Sequence, residues 1–264
     1  MFSLGKSFLL LSFSCLVTLV VTQETANNEY FPFVVSLKTN PYDEGYQHFC
    51  TGSIINSRWI LTAAHCILRA EERWLQTMVV DVGTEYLSES DNIQRYSVTR
   101  IFCHPDVALL PLEKRYDVAL IELEEPIAFS SSVSSVGLGT IRDELEVPVV
   151  AVGWGSVSDF DKFIPDKVRV SELTTDKYED CQEKHAKEDN IVNKELNICA
   201  SGSEGNTVCQ GMSGGPLVDR RTGLQVGVSS GMKDCTAEFP FLFARIESVI
   251  DWINDVTGLG LVLN

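Results

Sequence analysis

Short runs rich in valine and isoleucine recur along this chain, and each is bounded by turn-forming residues. The clearest are residues 33–37, 78–82, 118–123, 147–152 and 224–229. Runs of this length favour β-strands, because helices in globular proteins are usually longer. The chain has 264 residues, of which 44% are hydrophobic, which is enough for one large β unit or two small domains. The pattern therefore predicts an all-β fold, either a barrel or a sandwich.

Residues 1–22 differ from the rest of the chain. Lys6 precedes an apolar run of about 15 residues with small residues at its end, which together are typical of a secretory signal peptide. The run is short for a membrane span, so a signal anchor is the less favoured alternative. We therefore predict cleavage before Gln23 and a secreted, extracellular protein that does not bind membranes.

Cysteine content and charge fit a secreted protein. The chain has eight cysteines, and Cys15 lies within the predicted signal peptide. In an oxidising compartment most of the others should pair, and their odd number leaves one over. The chain carries 21 basic and 37 acidic residues, a net charge of −16. Such a surface disfavours nucleic acid and anionic membranes, so neither is expected as a partner.

Two segments divide the rest of the chain. Residues 129–145 are rich in Ser and Gly and then charged, so we interpret them as a linker. It would join a first half, residues 30–128, to a second half, residues 146–245. Apolar residues at positions 246, 249, 250, 253 and 256 then follow helical spacing, which predicts a C-terminal helix over residues 246–257.

Three short elements stand in the order His, Asp, Ser. They are Leu61-Thr62-Ala63-Ala64-His65-Cys66, Tyr116-Asp117-Val118-Ala119-Leu120-Ile121 and Cys209-Gln210-Gly211-Met212-Ser213-Gly214-Gly215-Pro216. A serine hydroxyl is a poor nucleophile near neutral pH unless a histidine accepts its proton. A carboxylate can hold that histidine in the required tautomer. The three residue types together therefore indicate nucleophilic hydrolysis.

These elements resemble those of the chymotrypsin (trypsin-like) family of serine endopeptidases. Further matches are Phe31-Pro32-Phe33, His48-Phe49-Cys50, Gly153-Trp154-Gly155, Ser229 and the final helix around Trp252. The resemblance extends from Tyr30 to Val256. It implies that residues 23–264 form one trypsin-like serine protease domain, with two six-stranded antiparallel Greek-key β-barrels and a C-terminal α-helix.

The resemblance also implies roles for single residues. Ser213 would be the nucleophile, His65 the general base and Asp117 the residue that orients His65. The backbone N–H groups of Gly211 and Ser213 would form the oxyanion hole, where one donor can be worth roughly 3 kcal/mol of transition-state stabilisation. The substrate would be a protein or peptide, and no cofactor is implied.

A disulfide pattern comes with the same resemblance. It pairs Cys50 with Cys66, Cys181 with Cys199, and Cys209 with Cys235. Cys103 is then left over. A buried thiol is the favoured interpretation of Cys103, and a monomer is expected. An intermolecular disulfide that links two chains through Cys103 is the alternative.

The chain departs from the family pattern beside the serine and near its N-terminus. The family has an aspartate immediately before the serine, and this aspartate pairs with an α-amino group released by cleavage after a basic residue. Here Met212 takes that position, and no Lys or Arg lies between Lys6 and Lys38. Met212 is expected to fill the vacated pocket. Either packing holds the oxyanion hole open without activation, or the hole stays collapsed.

The predicted substrate pocket is altered as well. Thr207 takes the position at its base, which argues against trypsin-like selection of Arg or Lys. Ser229, Ser230 and Gly231 match the pocket wall, and Ser230 stands where the family commonly has a tryptophan. Phe241 stands where a glycine is usual and would leave room for only a small side chain, if any. The alternative is that a loop shift moves Phe241 outward.

Glu85, Glu89 and Asp91 lie where some family members bind calcium. A solvated, charged loop has the same appearance, so no metal site is predicted.

Two functions remain open from the sequence. The first is a secreted serine endopeptidase that hydrolyses peptide bonds after small residues. The second is a serine protease homolog with little or no catalysis that acts as a binding or regulatory protein.

Overall fold

Two closed β-barrels, each of six strands, dominate this computed structural model. The structure describes residues 30–88, 93–110, 113–141, 146–156, 163–187, 191–203, 205–231, 234–236 and 238–264. The predicted signal peptide, residues 1–22, lies outside the described residues, as do residues 142–145 of the predicted linker. Phe31–Asn264 forms one compact unit.

The first barrel is built from strands of the N-terminal half. In chain order they are β1 (Val34–Thr39), β2 (Gln47–Asn56), β3 (Trp59–Thr62), β4 (Val79–Val82), β5 (Gln94–Cys103) and β8 (Ala119–Leu123). Between β5 and β8, the strands β6 (Ala108–Leu110) and β7 (Glu113–Arg115) form a separate hairpin outside the barrel. The barrel closes in the order β1-β2-β3-β8-β5-β4. Strands β3 and β8 are therefore direct neighbours, and they pair antiparallel.

The second barrel is built from strands of the C-terminal half. They are β9 (Pro148–Gly153), β10 (Arg169–Thr175), β11 (Asn197–Gly202), β12 (Pro216–Asp219), β13 (Gln225–Gly231) and β14 (Phe241–Arg245). This barrel closes in the order β10-β11-β14-β13-β12-β9, again with antiparallel pairing. The predicted fold class, two six-stranded antiparallel barrels, is confirmed.

Four α-helices are described: α1 (Ala64–Leu68), α2 (Glu72–Gln76), α3 (Tyr178–Ala186) and α4 (Ile250–Thr257). The predicted C-terminal helix is present, but it begins later than residue 246. Ile246–Ser248 forms a 3-10 turn, and Val249, with φ −125° and ψ 1°, separates this turn from α4. The helix ends at Gly258, whose φ of 68° is in the left-handed region that glycine adopts without strain.

Residues of β10 in the second barrel alternate between the interior and the solvent, whereas the other five strands of this barrel are almost continuously buried. In β10, Leu173 is buried and the neighbouring Glu172 is exposed, which is the period of two expected for a strand with one face on the core. The interior is an apolar cluster of buried side chains. Met212 and Phe241 belong to this cluster, so two residues from the predicted site are part of the core.

Candidate active site

Chain segments from both barrels converge on one cavity of about 370 Å³. His65 lies in α1, directly after β3, and Asp117 lies just before β8. Because β3 and β8 are paired, His65 and Asp117 meet at the same end of the first barrel. Ser213 lies in the turn before β12, and its backbone oxygen accepts a hydrogen bond from the N–H of Thr51 at 2.8 Å. His65 and Ser213 both line the cavity.

Asp117 is buried and accepts three hydrogen bonds. His65 donates to it from ring atom Nδ1 and from its backbone N–H, each at 2.8 Å, and the Ser230 hydroxyl donates at 2.6 Å. Burial by itself raises the pKa of Asp117, but the hydrogen bonds and charge of His65, with the bond from Ser230, outweigh it and hold the pKa below its usual value. Asp117 is therefore an ionised carboxylate at neutral pH.

This carboxylate decides the tautomer of neutral His65. A carboxylate can only accept hydrogen bonds, so Nδ1 carries the ring proton and Nε2 is left as an acceptor. In the described part of the chain, His65 and Ser213 make no hydrogen bond with each other. Such bonds in unliganded active sites are often long and tighten when substrate binds.

Ser230 has a contact that the sequence analysis missed. It lines the cavity with Ser229 and Gly231, as predicted for the pocket wall, but its hydroxyl is directed to Asp117. The strand pairing explains this, because a bulge in β13 falls between Ser229 and Gly231. Ser229 bonds instead through its backbone, to Gly214 and Gly215. The sequence shows only two adjacent serines, and it does not indicate which hydroxyl contacts Asp117. The bulge in the strand decides that it is Ser230.

Gly211 has a backbone conformation that excludes other residues. Its φ is 98°, and a Cβ atom at this position would lie 2.4 Å from the backbone oxygen of Trp154. Among the described residues, the N–H groups of Gly211 and Ser213 donate to no protein acceptor. Both residues line the cavity. Two unpaired backbone donors beside a serine are suited to bind a developing oxyanion.

Met212 lies in the apolar cluster of the second barrel and is only 1% exposed. Its side chain packs against Gly155, where an added Cβ would lie 2.5 Å from Met212 Cγ. Val208 and Phe241 belong to the same cluster. The position that carries a charge in the family pattern is therefore occupied by a tightly packed apolar side chain.

The structure does not bring two of the predicted pocket residues to the cavity surface. Phe241 is 1% exposed and packs in the core cluster, so it has not moved outward. Thr207 is 6% exposed, and its backbone oxygen accepts a bond from the Ser171 hydroxyl at 2.7 Å. Neither Thr207 nor Phe241 lines the cavity, whose wall on this side is formed by residues 208–211 and 229–231.

First-barrel residues line another part of the cavity. They include Phe49, Arg69 and Trp74. The rings of Phe49 and Trp74 meet edge to face, with centroids 6.0 Å apart. In the described part of the chain Arg69 has no ion-pair partner, although the protein as a whole is strongly acidic.

The cysteines pair as the family pattern implies. The three disulfides join Cys50 to Cys66, Cys181 to Cys199, and Cys209 to Cys235. Cys103 is free and half-buried, and its pKa is raised by burial and by the nearby charge of Asp117. A raised pKa makes its thiol less reactive.

Possible metal ligands are sparse around the cavity. Among the described residues, one cluster has three such side chains, namely Cys50, His65 and Cys66. Its two sulfur atoms form a disulfide and are not the thiolates that metals bind. Glu89 and Asp91 of the predicted calcium alternative lie outside the described residues. Glu85 is described, and Lys167 lies 3.9 Å from its carboxylate.

Comparison with known proteins identifies the family. The family model described as Trypsin matches residues 20–253. The chain belongs to the trypsin family. It is 32% identical over 235 residues to serine protease 28 of Mus musculus, which covers 85% of this chain and 84% of that protein. The solved structure of neuropsin, described as a serine protease expressed in the limbic system of mouse brain, matches with a TM-score of 0.72 and 27% identity.

The neuropsin match covers 85% of this chain and 94% of that structure. The two barrels and the C-terminal helix of this trypsin-family protein are thus the chymotrypsin-like fold. No helix in the described part of the chain has the length and apolar character needed to span a bilayer.

Proposed function

We propose that this protein is a secreted serine endopeptidase in which His65, Asp117 and Ser213 hydrolyse peptide bonds. One observation carries the proposal. The N–H groups of Gly211 and Ser213 have no partner among the described residues, and both residues line the cavity beside His65. A collapsed oxyanion hole would be expected to turn at least one of these donors away, so this arrangement favours hydrolysis over a purely binding role.

The chemistry follows from the hydrogen bonds. Ser213 Oγ attacks the substrate carbonyl carbon while His65 Nε2 takes the hydroxyl proton, and the carbonyl oxygen becomes an oxyanion held by the two N–H groups. The Asp117 carboxylate stabilises the imidazolium that forms. His65 then gives its proton to the leaving amine as the peptide bond breaks. A water molecule repeats the sequence on the acyl-enzyme and releases the acid.

Specificity for small side chains before the cleaved bond is part of the proposal. Phe241 and Thr207 do not line the cavity, and Phe241 belongs to the same core cluster as Val208, which does line it. This arrangement supports a shallow pocket without a buried carboxylate at its base. The enzyme would therefore cleave after residues such as alanine and would not select Arg or Lys.

We further propose that residues 1–22 are a signal peptide and that residues 23–264 form a monomeric protease domain. The half-buried position and raised pKa of Cys103 favour a monomer over a disulfide-linked dimer.

The deciding experiment uses a fluorophosphonate, which phosphonylates an activated serine with loss of fluoride. Protein expressed from Gln23 should be labelled at Ser213, and the Ser213→Ala variant should not be labelled. Absence of labelling in the folded protein would reject the endopeptidase function and favour the binding or regulatory alternative. Labelling without release of product from alanine peptide esters would reject the proposed specificity alone.

A further inference from the structure

The peptide groups on either side of Gly211 are each held by hydrogen bonds. Before Gly211, the backbone oxygen of Gln210 accepts a bond from the N–H of Ser156 at 2.9 Å. After it, the backbone oxygen of Gly211 accepts bonds from Thr51 Oγ1 at 2.9 Å and from His48 Nε2 at 3.0 Å. Thr51 and His48 lie on β2 of the first barrel, so one barrel holds the oxyanion-hole turn of the other.

Together, the two attachments restrict the orientation of the Gly211 N–H. The described peptide bonds are trans, so the Gly211 N–H points opposite to the Gln210 oxygen and away from Ser156. A glycine can change the sign of its φ at little cost. If only one of the two peptide groups beside Gly211 were held by hydrogen bonds, the other could rotate. Bonds on both peptide groups remove that freedom.

The Thr51 hydroxyl has a defined direction. It accepts a long bond from the N–H of Trp154 at 3.4 Å, and its own proton goes to Gly211, because a carbonyl oxygen can only accept. Thr51 is fully buried. Two glycines leave room for its side chain. A Cβ on Gly153 would lie 2.7 Å from Thr51 Oγ1, and a Cβ on Gly215 would lie 3.2 Å from Thr51 Cγ2.

His48 adds a second neutral donor to the same oxygen. Burial lowers the pKa of His48 to about 4, so its ring is uncharged at neutral pH. Nε2 faces the backbone oxygens of Gly211 and Trp154 and therefore carries the proton, while Nδ1 accepts from the Ser36 hydroxyl at 2.8 Å. The adjacent Met212 is apolar, so no charge on that side chain takes part.

We infer that Thr51 is a positioning residue for the proposed hydrolysis: its hydroxyl fixes the Gly211–Met212 peptide so that the Gly211 N–H faces the cavity without an ion pair at Met212. This inference rests on the proposed function, because the turn is held for the oxyanion formed at Ser213. Hydrogen bonds from the uncharged side chains of Thr51 and His48 then take the place of the ion pair that the family pattern has at position 212. The working shape of the hole would accordingly not require cleavage of the chain.

Thr51→Val is the direct test, because it removes the hydroxyl and keeps the shape of the side chain. We expect the second-order rate of fluorophosphonate labelling at Ser213 to fall about tenfold, the effect of one net hydrogen bond. With a peptide thioester ending in alanine, kcat should fall by about the same factor and KM should change by less than about twofold. Thr51→Ser, which restores the hydroxyl, should recover most of the rate.

Ser53→Ala is the matched control. Ser53 is buried on the same strand, and its hydroxyl bonds to Gln225 at 2.7 Å, away from Gly211. This variant should lose stability without losing the labelling rate. If Thr51→Val does not fold, Thr51→Ala takes its place.

The outcomes separate this inference from the proposed function. If the wild-type protein is folded and not labelled, the endopeptidase function fails, and the positioning role fails with it. If the wild-type protein is labelled and a folded Thr51→Val or Thr51→Ala reacts at the same rate, only the role of Thr51 is overturned. A crystal structure of Thr51→Val with a slow rate and the Gly211 oxygen turned away from His48 would support the role directly.

Discussion

Replacing Met212 by aspartate restores the charge of the family pattern in a site built for an apolar side chain. Met212 is 1% exposed and packs against Gly155 within the core cluster. An unpaired charge buried at such a site costs about 3–5 kcal/mol, and losing the burial of the Met side chain adds about 2 kcal/mol. Counting the charge alone, we therefore expect Met212→Asp to lower the free energy of unfolding by at least about 3 kcal/mol.

The assay is thermal unfolding combined with fluorophosphonate labelling. For a chain of this size, about 3 kcal/mol corresponds to a fall in Tm of at least about 6 °C. Met212→Leu, which conserves volume, should cost less than about 1.5 kcal/mol and is the control. Neither variant should be labelled faster than the wild type.

The pH dependence identifies charge burial as the cause. Burial raises the folded-state pKa of the introduced aspartate above its unfolded value of about 3.9. The part of the penalty that comes from the charge is therefore absent below about pH 3.9, grows as pH rises toward the folded-state pKa, and is constant above it. The cost of the lost Met burial remains at every pH. The reasoning is refuted if Met212→Asp is as stable as Met212→Leu at pH 7, or if it is labelled faster than the wild type.

Other predictions concern the surroundings of the cavity. Ser230→Ala removes a hydrogen bond to Asp117, so kcat/KM for peptide ester hydrolysis should fall severalfold. Ser229→Ala should stay near the wild-type value, because Ser229 bonds through its backbone. Equal losses in the two variants would contradict a specific role for the Ser230 hydroxyl. Phe241→Gly should let the pocket accept larger side chains and should lower the free energy of unfolding by about 3–5 kcal/mol, as Phe-to-Ala changes do. An unchanged cleavage preference in a peptide library would show that Phe241 does not occlude the substrate pocket. Arg69→Glu should disfavour peptides with an acidic residue near the cleaved bond, and a library profile identical to wild type would argue against contact between Arg69 and the substrate.

Much of the architecture could be predicted from local patterns. The short Val- and Ile-rich runs predicted strands because β-branched residues favour strands and the runs are too short for helices. The resemblance supplied the two barrels, the disulfide pairs and the order His65, Asp117, Ser213. The predicted end of the C-terminal helix at residue 257 agrees with the end of α4 at Thr257, whereas the delayed start of α4 at Ile250 depends on the turn at Val249.

The contacts that decide chemistry needed the tertiary structure. A bulge in β13, which no local pattern marks, directs the Ser230 hydroxyl to Asp117. The bond from Thr51 to Gly211 joins residues 160 positions apart, and it exists only because the two barrels meet at that edge.

The sequence by itself determined the family, the all-β class and the residue types available for hydrolysis. These follow from the composition and length of short runs and from short motifs, which do not depend on how distant segments pack. The tertiary structure decided that Met212 and Phe241 are core residues, that Phe241 does not line the cavity, and that the N–H of Gly211 has no protein partner among the described residues. The physical reason is that burial and hydrogen bonding between distant segments depend on how the barrels pack.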